Sequence, residues 1–333
     1  MRVVEVTRFG GPEVLAVRDE PEPTLDRGQS LIAVSVVPVL FLDTQLRSGW
    51  GREWFSQRPP FVPGSGVAGT VTAVGQGVEP GWRGRRVVTD TGEHGGSGGY
   101  AEEVTAPVER LIEVPDGADL RQAAALLHDG RTALRLSEIS EIKPDESVLV
   151  LGAAGGMGVL LIQLARQAGG HVIAAARGER KLEKLKEHGA DVVVDYSQPD
   201  WHEQVRTATA GRGGAGADVV FDGAGGELGR TAFAVTATGG RFSAHGSASG
   251  AFAPIDADKA ARRQITVFGI EHVQLDPATA KRLVAKALAL VAAGRLHAVI
   301  GQTFPLEQAG AAHAAVEDRD TLGKTLLLTE RAG

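Results

Sequence analysis

VLVLGAAGGMGVLLIQLARQAGGHVIAAARGERK, residues 148–181, decides the fold. Four apolar residues of strand type lead into the glycine-rich turn GAAGGMG at 152–158, which opens an apolar segment of helical period, and HVIAAA follows as a second strand. Strand, tight turn, helix and strand in that order form the unit that binds dinucleotides. Its glycines let backbone N–H groups close on a pyrophosphate at the positive end of the helix. Ala154, Gly155, Gly156, Met157 and Gly158 are the candidate binding residues. The usual G-x-G-x-x-G would place a glycine at Ala153, so the motif alone is weak, and a tight turn that binds nothing is the alternative.

The surrounding chain strengthens the reading. Downstream, DVVVDY, DVVFDG, GRFSAHG and ITVFGI read as strands, with helical segments ERKLEKLKEHG, WHEQVRTAT and ELGRTAFAVT between them. Repeated strand–helix alternation predicts an α/β fold with a doubly wound parallel sheet. Gly189 stands where a left-handed helix cap is wanted. From Met1 to about Leu120 the apolar runs are short, alternating and broken by PEP, RPP, VPG and EPG, so this half reads as all-β. A long helix after Asp276, another helix and GKTLLLT finish the chain, and that last strand, having no helix after it, is expected back in the β-rich half. The expected domains are 1–121 with 271–333, β-rich, and 122–270, dinucleotide-binding.

Composition excludes several classes. The 333 residues are 43% hydrophobic and 23% charged, with net charge −6 and no block of like charges, which disfavours nucleic-acid and polybasic membrane partners. Cysteine is absent, so there are no disulfides, thiolate zinc sites, iron–sulfur clusters or cysteine nucleophile. No run approaches a membrane span and the N-terminus has no hydrophobic leader. A cytoplasmic protein acting on a small molecule is the expectation.

The end of the second strand selects the dinucleotide. An acidic residue ~20 positions past the fingerprint normally binds the ribose hydroxyls of NAD, whereas a basic one accommodates the 2′-phosphate of NADP. Here AAARGERK offers Arg177 at the strand end, with Arg180 and Lys181 beyond it. NADPH is therefore expected; a solvated charged turn containing Glu179 is the alternative.

FGGPEVL, FLDTQLRSG at 41–49, PGSGVAGTVTAVGQGV at 63–78, GGYAEE, GRTA, GAAGGMG, ERKLEKLKEHGADVVVDY and GKTLLL run nearly end to end. Together they resemble the medium-chain dehydrogenase/reductase superfamily, and within it the zinc-independent quinone oxidoreductases related to zeta-crystallin. The resemblance implies a GroES-like β-rich catalytic domain with an inserted Rossmann domain, the nicotinamide in the cleft between them, Lys181 and Tyr196 on the phosphate side, and Thr132 on the nicotinamide side. It implies a homodimer joined along ITVFGI. Zinc-dependent members use a Cys, a His–Glu pair and a further Cys or Asp; the corresponding positions here are Leu40, Ser65 with Gly66, and His128. A single imidazole falls short of the three or so protein ligands a catalytic zinc needs. The structural-zinc lobe is replaced by a glycine-rich loop at 92–99, so no metal is expected.

Without a Lewis acid to stabilise an alkoxide, reduction of an electron-poor acceptor is the plausible chemistry. Hydride from NADPH adds to a quinone or to the β-carbon of an α,β-unsaturated carbonyl, and a proton completes the step. Relatives carry Asn where this chain has Leu40, which has no side-chain donor, so His128 is the candidate replacement acid, with a structural histidine as the alternative. Thr132 is the second catalytic candidate. Asp129 is adjacent to His128, although neighbouring side chains usually diverge. Leu40, Trp50 and Trp54 are the candidate substrate-pocket residues, the tryptophans belonging to an aromatic-rich loop that alternatively packs on its own domain. Asp43 and Arg47 read as a local structural ion pair. Gly223, His245 and Ser247 fall at strand ends and are further cofactor candidates. Two other functions fit the sequence: a metal-free carbonyl reductase, and a non-catalytic NADPH-binding protein of crystallin or sensor type.

Overall fold

β-branched residues alternate through the first hundred positions, which favours half-buried strands over helix. The computed structural model describes residues 1–91 and 98–330, so most of the loop expected at 92–99 lies outside the described residues. The chain divides into two compact units, Met1–His128 with Lys281–Gly333, and Asp129–Ala280.

In the first unit, β1 (Arg2–Val6) and β2 (Leu15–Asp19) pair antiparallel. β3 (Gln29–Val39), α1 (Phe41–Ser48), β4 (Gly66–Val74), β5 (Arg86–Asp90), β6 (Glu103–Pro107), β7 (Ile112–Glu113) and α2 (Leu120–Ser140) follow. β3 organises this unit: β4 lies along one edge, and β6 pairs with its first half on the other. Its valine-rich second half is fully buried, as a strand covered on both faces requires. α1 corrects the all-β expectation for this region.

The second unit begins within α2 and contains β8 (Ser147–Leu151), α3 (Gly156–Gln167), β9 (His171–Ala176), α4 (Glu179–Glu187), β10 (Val192–Asp195) and α5 (Trp201–Ala210). β11 (Ala217–Asp222), α6 (Gly226–Ala234), β12 (Thr236–Ala244), α7 (Ala257–Arg262) and β13 (Thr266–Phe268) complete it. Its six strands are parallel, in the order β10-β9-β8-β11-β12-β13. The chain runs outward from β8 to β10, then returns to β11 on the other side. Right-handed crossovers in opposite directions place helices on opposite faces of the sheet. The expected doubly wound sheet is thus present, and the reversal between β8 and β11 is its topological switch point. Leu149, Leu151, Ile173, Val220 and Phe242 form its buried centre. Gly189 takes the expected left-handed conformation, with φ +105°.

The chain returns to the first unit through α8 (Pro277–Ala292), β14 (Ile300–Pro305), α9 (Ala309–Glu317) and β15 (Lys324–Leu328). β15 pairs antiparallel with the second half of β3 and parallel with β14, so the last strand does rejoin the β-rich half. β14 itself was not anticipated.

Candidate active site

Three loops meet at the carboxyl edge of the parallel sheet. Gly152 is left-handed, with φ +68°, and Ala153 is fully buried while donating its N–H to the Ala175 carbonyl at 3.1 Å. The alanine is therefore accommodated inside the turn. At Gly158 a Cβ would lie 2.6 Å from the carbonyl oxygens of both Gly152 and Ala153, so only glycine lets α3 start this close to the turn. Exposed Gly155 caps α3 in extended conformation with no side-chain bond, and the first turn, with Gly156 and Met157, contains no acidic residue. Its leading N–H groups suit an anion.

The Cβ position of Gly152 lies 3.5 Å from Gly223, and a Cβ at Gly223 would come within 2.9 Å of the Leu151 carbonyl. Gly246 is packed so tightly on Gly223 that it has no room for a side chain. The turns after β8, β11 and β12 thus converge, bringing Ala154, Gly223 and His245 into one loop cluster. Ser247 is half-buried in the same loop as His245, and its carbonyl accepts from Gly250 N–H at 2.9 Å.

Asp222 shapes this cluster and was missed from sequence, although an Asp leading DGAGG is an Asx-turn signature. Its Oδ1 accepts from Ala224 N–H at 3.0 Å and Gly225 N–H at 2.8 Å. Burial pushes its carboxyl up to about 6 despite those two bonds.

Along the edge, β9 and β10 end side by side. Arg177 is exposed at the end of β9, Lys181 lies in the first turn of α4, and Tyr196 N–H donates to the Ala176 carbonyl at 3.2 Å. Asp195 is the nearby carboxylate. Partial burial opposes its charge, but bonds from Ser197 and Gly178 N–H and the Arg177 charge outweigh burial and hold it below the usual range.

In the first unit, His128 Nε2 lies 3.2 Å from Ser65 Oγ and 3.2 Å from Asp90 Oδ1. Asp90, at the end of β5, thus places a carboxylate against this ring. An ionised carboxylate only accepts, so Asp90 favours a proton on Nε2. A Cβ at Gly66 would collide with Leu127 and come within 3.0 Å of His128 Cε1, so the ring is wedged against β4. Thr132 is half-buried further along α2, in the second unit.

Half-buried Leu40 is the N-cap of α1, and its N–H donates to Asp43 Oδ2 at 2.8 Å. Asp43 and Arg47 are not a local pair, because four residues apart they serve different partners. Asp43 faces the Tyr100 hydroxyl, which lies 2.8 Å from His313 Nε2, while fully buried Arg47 bonds Glu317 of α9. Burial pushes Asp43 up to about 6, and burial together with the Arg47 charge pushes His313 down to about 3. Beyond α1, Trp50 is half-buried and Trp54 is 70% exposed, meeting edge-on with ring centroids 5.4 Å apart.

Residues 26–116 match the family described as alcohol dehydrogenase GroES-like domain, and residues 156–299 match that described as zinc-binding dehydrogenase. The chain is 33% identical to a 2-haloacrylate reductase of Burkholderia sp, covering 98% of each protein, and 30% identical to the quinone oxidoreductase of Rattus norvegicus, again over 98% of each. This chain belongs to the medium-chain dehydrogenase/reductase superfamily, with the quinone oxidoreductases. It is an oxidoreductase. The Escherichia coli quinone oxidoreductase, solved in complex with NADPH, superposes with a TM-score of 0.88 at 26% identity, over 98% of this chain and 100% of that one.

The family description invokes zinc, and the donor set here does not fit it. His128 stands against Asp90 and the Ser65 hydroxyl, and among the described residues no three His, Cys, Asp or Glu side chains gather as a metal site. No helix among the described residues is long and apolar enough to cross a membrane.

Proposed function

We propose that this oxidoreductase is a metal-independent NADPH-dependent reductase of quinones or α,β-unsaturated carbonyls. The carrying observation is the carboxyl edge of the parallel sheet, where a glycine turn at the switch point stands beside the end of β9, followed by Arg177 and, in the first turn of α4, Lys181. These two cations and Tyr196 would hold the 2′-phosphate end. Ala154, Gly155, Gly156, Met157 and Gly158 would present backbone to the pyrophosphate, and Gly223 and Ser247 would line the continuation of the groove. Bound NADPH supplies the hydride.

His128, with its proton favoured on Nε2 by Asp90, would furnish the acid that completes reduction, and Thr132 would support the nicotinamide side. Leu40, Trp50 and Trp54 would form the apolar wall for a planar acceptor. The 2-haloacrylate reductase and quinone oxidoreductase relatives both support an electron-poor conjugated acceptor. Carbonyl reduction would instead yield alcohols, which product analysis separates from saturated ketones. Leu40, lacking a side-chain donor, favours a second reading, non-catalytic NADPH binding, which binding without turnover would establish.

β13 is a three-residue, half-exposed strand at the edge of the sheet, and such an edge is a liability unless paired. A second copy is its proposed partner in a cytoplasmic homodimer, and a monomer in sedimentation would refute the pairing. The experiment for the function as a whole titrates metal-free protein with NADPH and NADH, then adds quinones, enones and enals. NADPH preference with oxidation by one acceptor class supports the assignment, and absence of NADPH binding overturns it.

A further inference from the structure

One of the cofactor candidates is a buried polar group. His245, just beyond the end of β12, is 8% exposed, and its Nε2 finds no hydrogen-bond partner among the described residues. Buried polar atoms are paired in the great majority of cases. The ring is held from the other side, with Nδ1 2.9 Å from the Oγ of Ser243, which is 1% exposed. Nε2 points past Gly223, whose Cβ position is 3.7 Å away, so the glycine leaves that side of the imidazole uncovered. Burial pushes the ring down to about 4, so at neutral pH it is uncharged, with one nitrogen donating and one accepting. The other orphaned atom of this cluster, Asp222 Oδ2, is turned toward Gly229 of α6 instead.

Strand order says what should meet Nε2. Arg177, Lys181 and Tyr196 stand at β9 and β10, the glycine turn at β8, and His245 on the far side at β12. With neighbouring strands ~4.8 Å apart, β9 to β12 spans roughly 14 Å. A dinucleotide with its 2′-phosphate at β9 and its pyrophosphate at the start of α3 must carry its remaining half over β11 and β12. That half is the nicotinamide riboside. We propose that His245 Nε2 hydrogen-bonds a hydroxyl of the nicotinamide ribose, with Ser243 positioning the ring. A hydroxyl both donates and accepts, so it satisfies Nε2 in either tautomer.

The inference rests on the NADPH reading, and its test separates the two. Binding of NADPH and of adenosine 2′,5′-bisphosphate, which has the phosphate end but lacks the nicotinamide riboside, is measured by calorimetry for wild type, His245→Ala and Ser243→Ala. His245→Ala is expected to weaken NADPH roughly tenfold and leave the bisphosphate unchanged. Ser243→Ala, which keeps the imidazole and the fold if the larger truncation does not, should show a smaller loss confined to NADPH. Unchanged NADPH affinity in both variants, or equal losses for both ligands, would overturn the role of His245. If wild type binds neither ligand, the dinucleotide assignment itself fails.

Discussion

Arg177 and Lys181 carry the choice of dinucleotide. Charge-assisted hydrogen bonds contribute about 1.5–3 kcal/mol, so Arg177→Ala is expected to weaken NADPH about ten- to a hundredfold while leaving NADH nearly unchanged, read as the ratio of their Kd values. Gly158→Ala forces a methyl against two carbonyls; overpacking of this kind costs about 1–3 kcal/mol, and a lower Tm together with weaker NADPH binding would register it. His128→Asn should cut kcat at least tenfold, general acids being worth about 10²–10⁴, with NADPH affinity retained. Unaltered kcat would return His128 to a structural role. The glycine turn, Arg177 and His128 were legible because residue type and position carry the chemistry. Asp90 was not, because it lies far from His128 in sequence and β-sheet register alone brings them together.

The strands of the parallel sheet and helices α3 to α6 were readable from period and spacing, but α1, α2, α7 and β14 were not. α1 is eight residues long, too short to be stable alone, and its N-cap is Leu40 instead of a Ser, Thr, Asp or Asn that would announce a start. Tertiary bonds hold it: Asp43 to Tyr100, and Arg47 to Glu317. β14 contains Gly301 and ends in Pro305, both poor strand signals, and forms because β15 offers an edge. Asp43 gives α1 a signed pH dependence. Its carboxyl rises from 3.8 to about 6 on folding, so its stabilising contribution is full below 3.8 and is lost as pH rises through 6. Asp43→Asn, which keeps an acceptor for the Leu40 N–H, should therefore lose less Tm between pH 4 and 7 than wild type does from this group. An identical pH slope in variant and wild type would refute the assignment.

For the whole molecule, buried histidines oppose buried carboxyls. His245 and His313 fall from 6.5 to about 4 and about 3, so their contribution is present above 6.5 and lost as pH falls through those values. Asp43 and Asp222 work the other way between 3.8 and about 6. Between 3.8 and about 3, His313 is the member of this set that still loses its contribution as pH falls. His313→Gln should narrow the stability gap between pH 7 and pH 3.5 in urea titrations. The molecule also depends on its last strand: β15 covers half of one edge of β3, so truncation before Lys324 is expected to give insoluble protein. That return was visible in GKTLLLT as a strand with no helix after it, whereas its pairing partner was not, because register is set by contacts distant in sequence.

The most direct measurement is oxidation of NADPH, compared with NADH, by a panel of quinones and α,β-unsaturated carbonyls in the presence of a strong metal chelator. A metal-independent NADPH reductase oxidises NADPH with at least one acceptor class, much faster than NADH, at a rate the chelator does not alter. Equal use of NADH, loss of turnover on chelation, or NADPH binding without oxidation by any acceptor would contradict it.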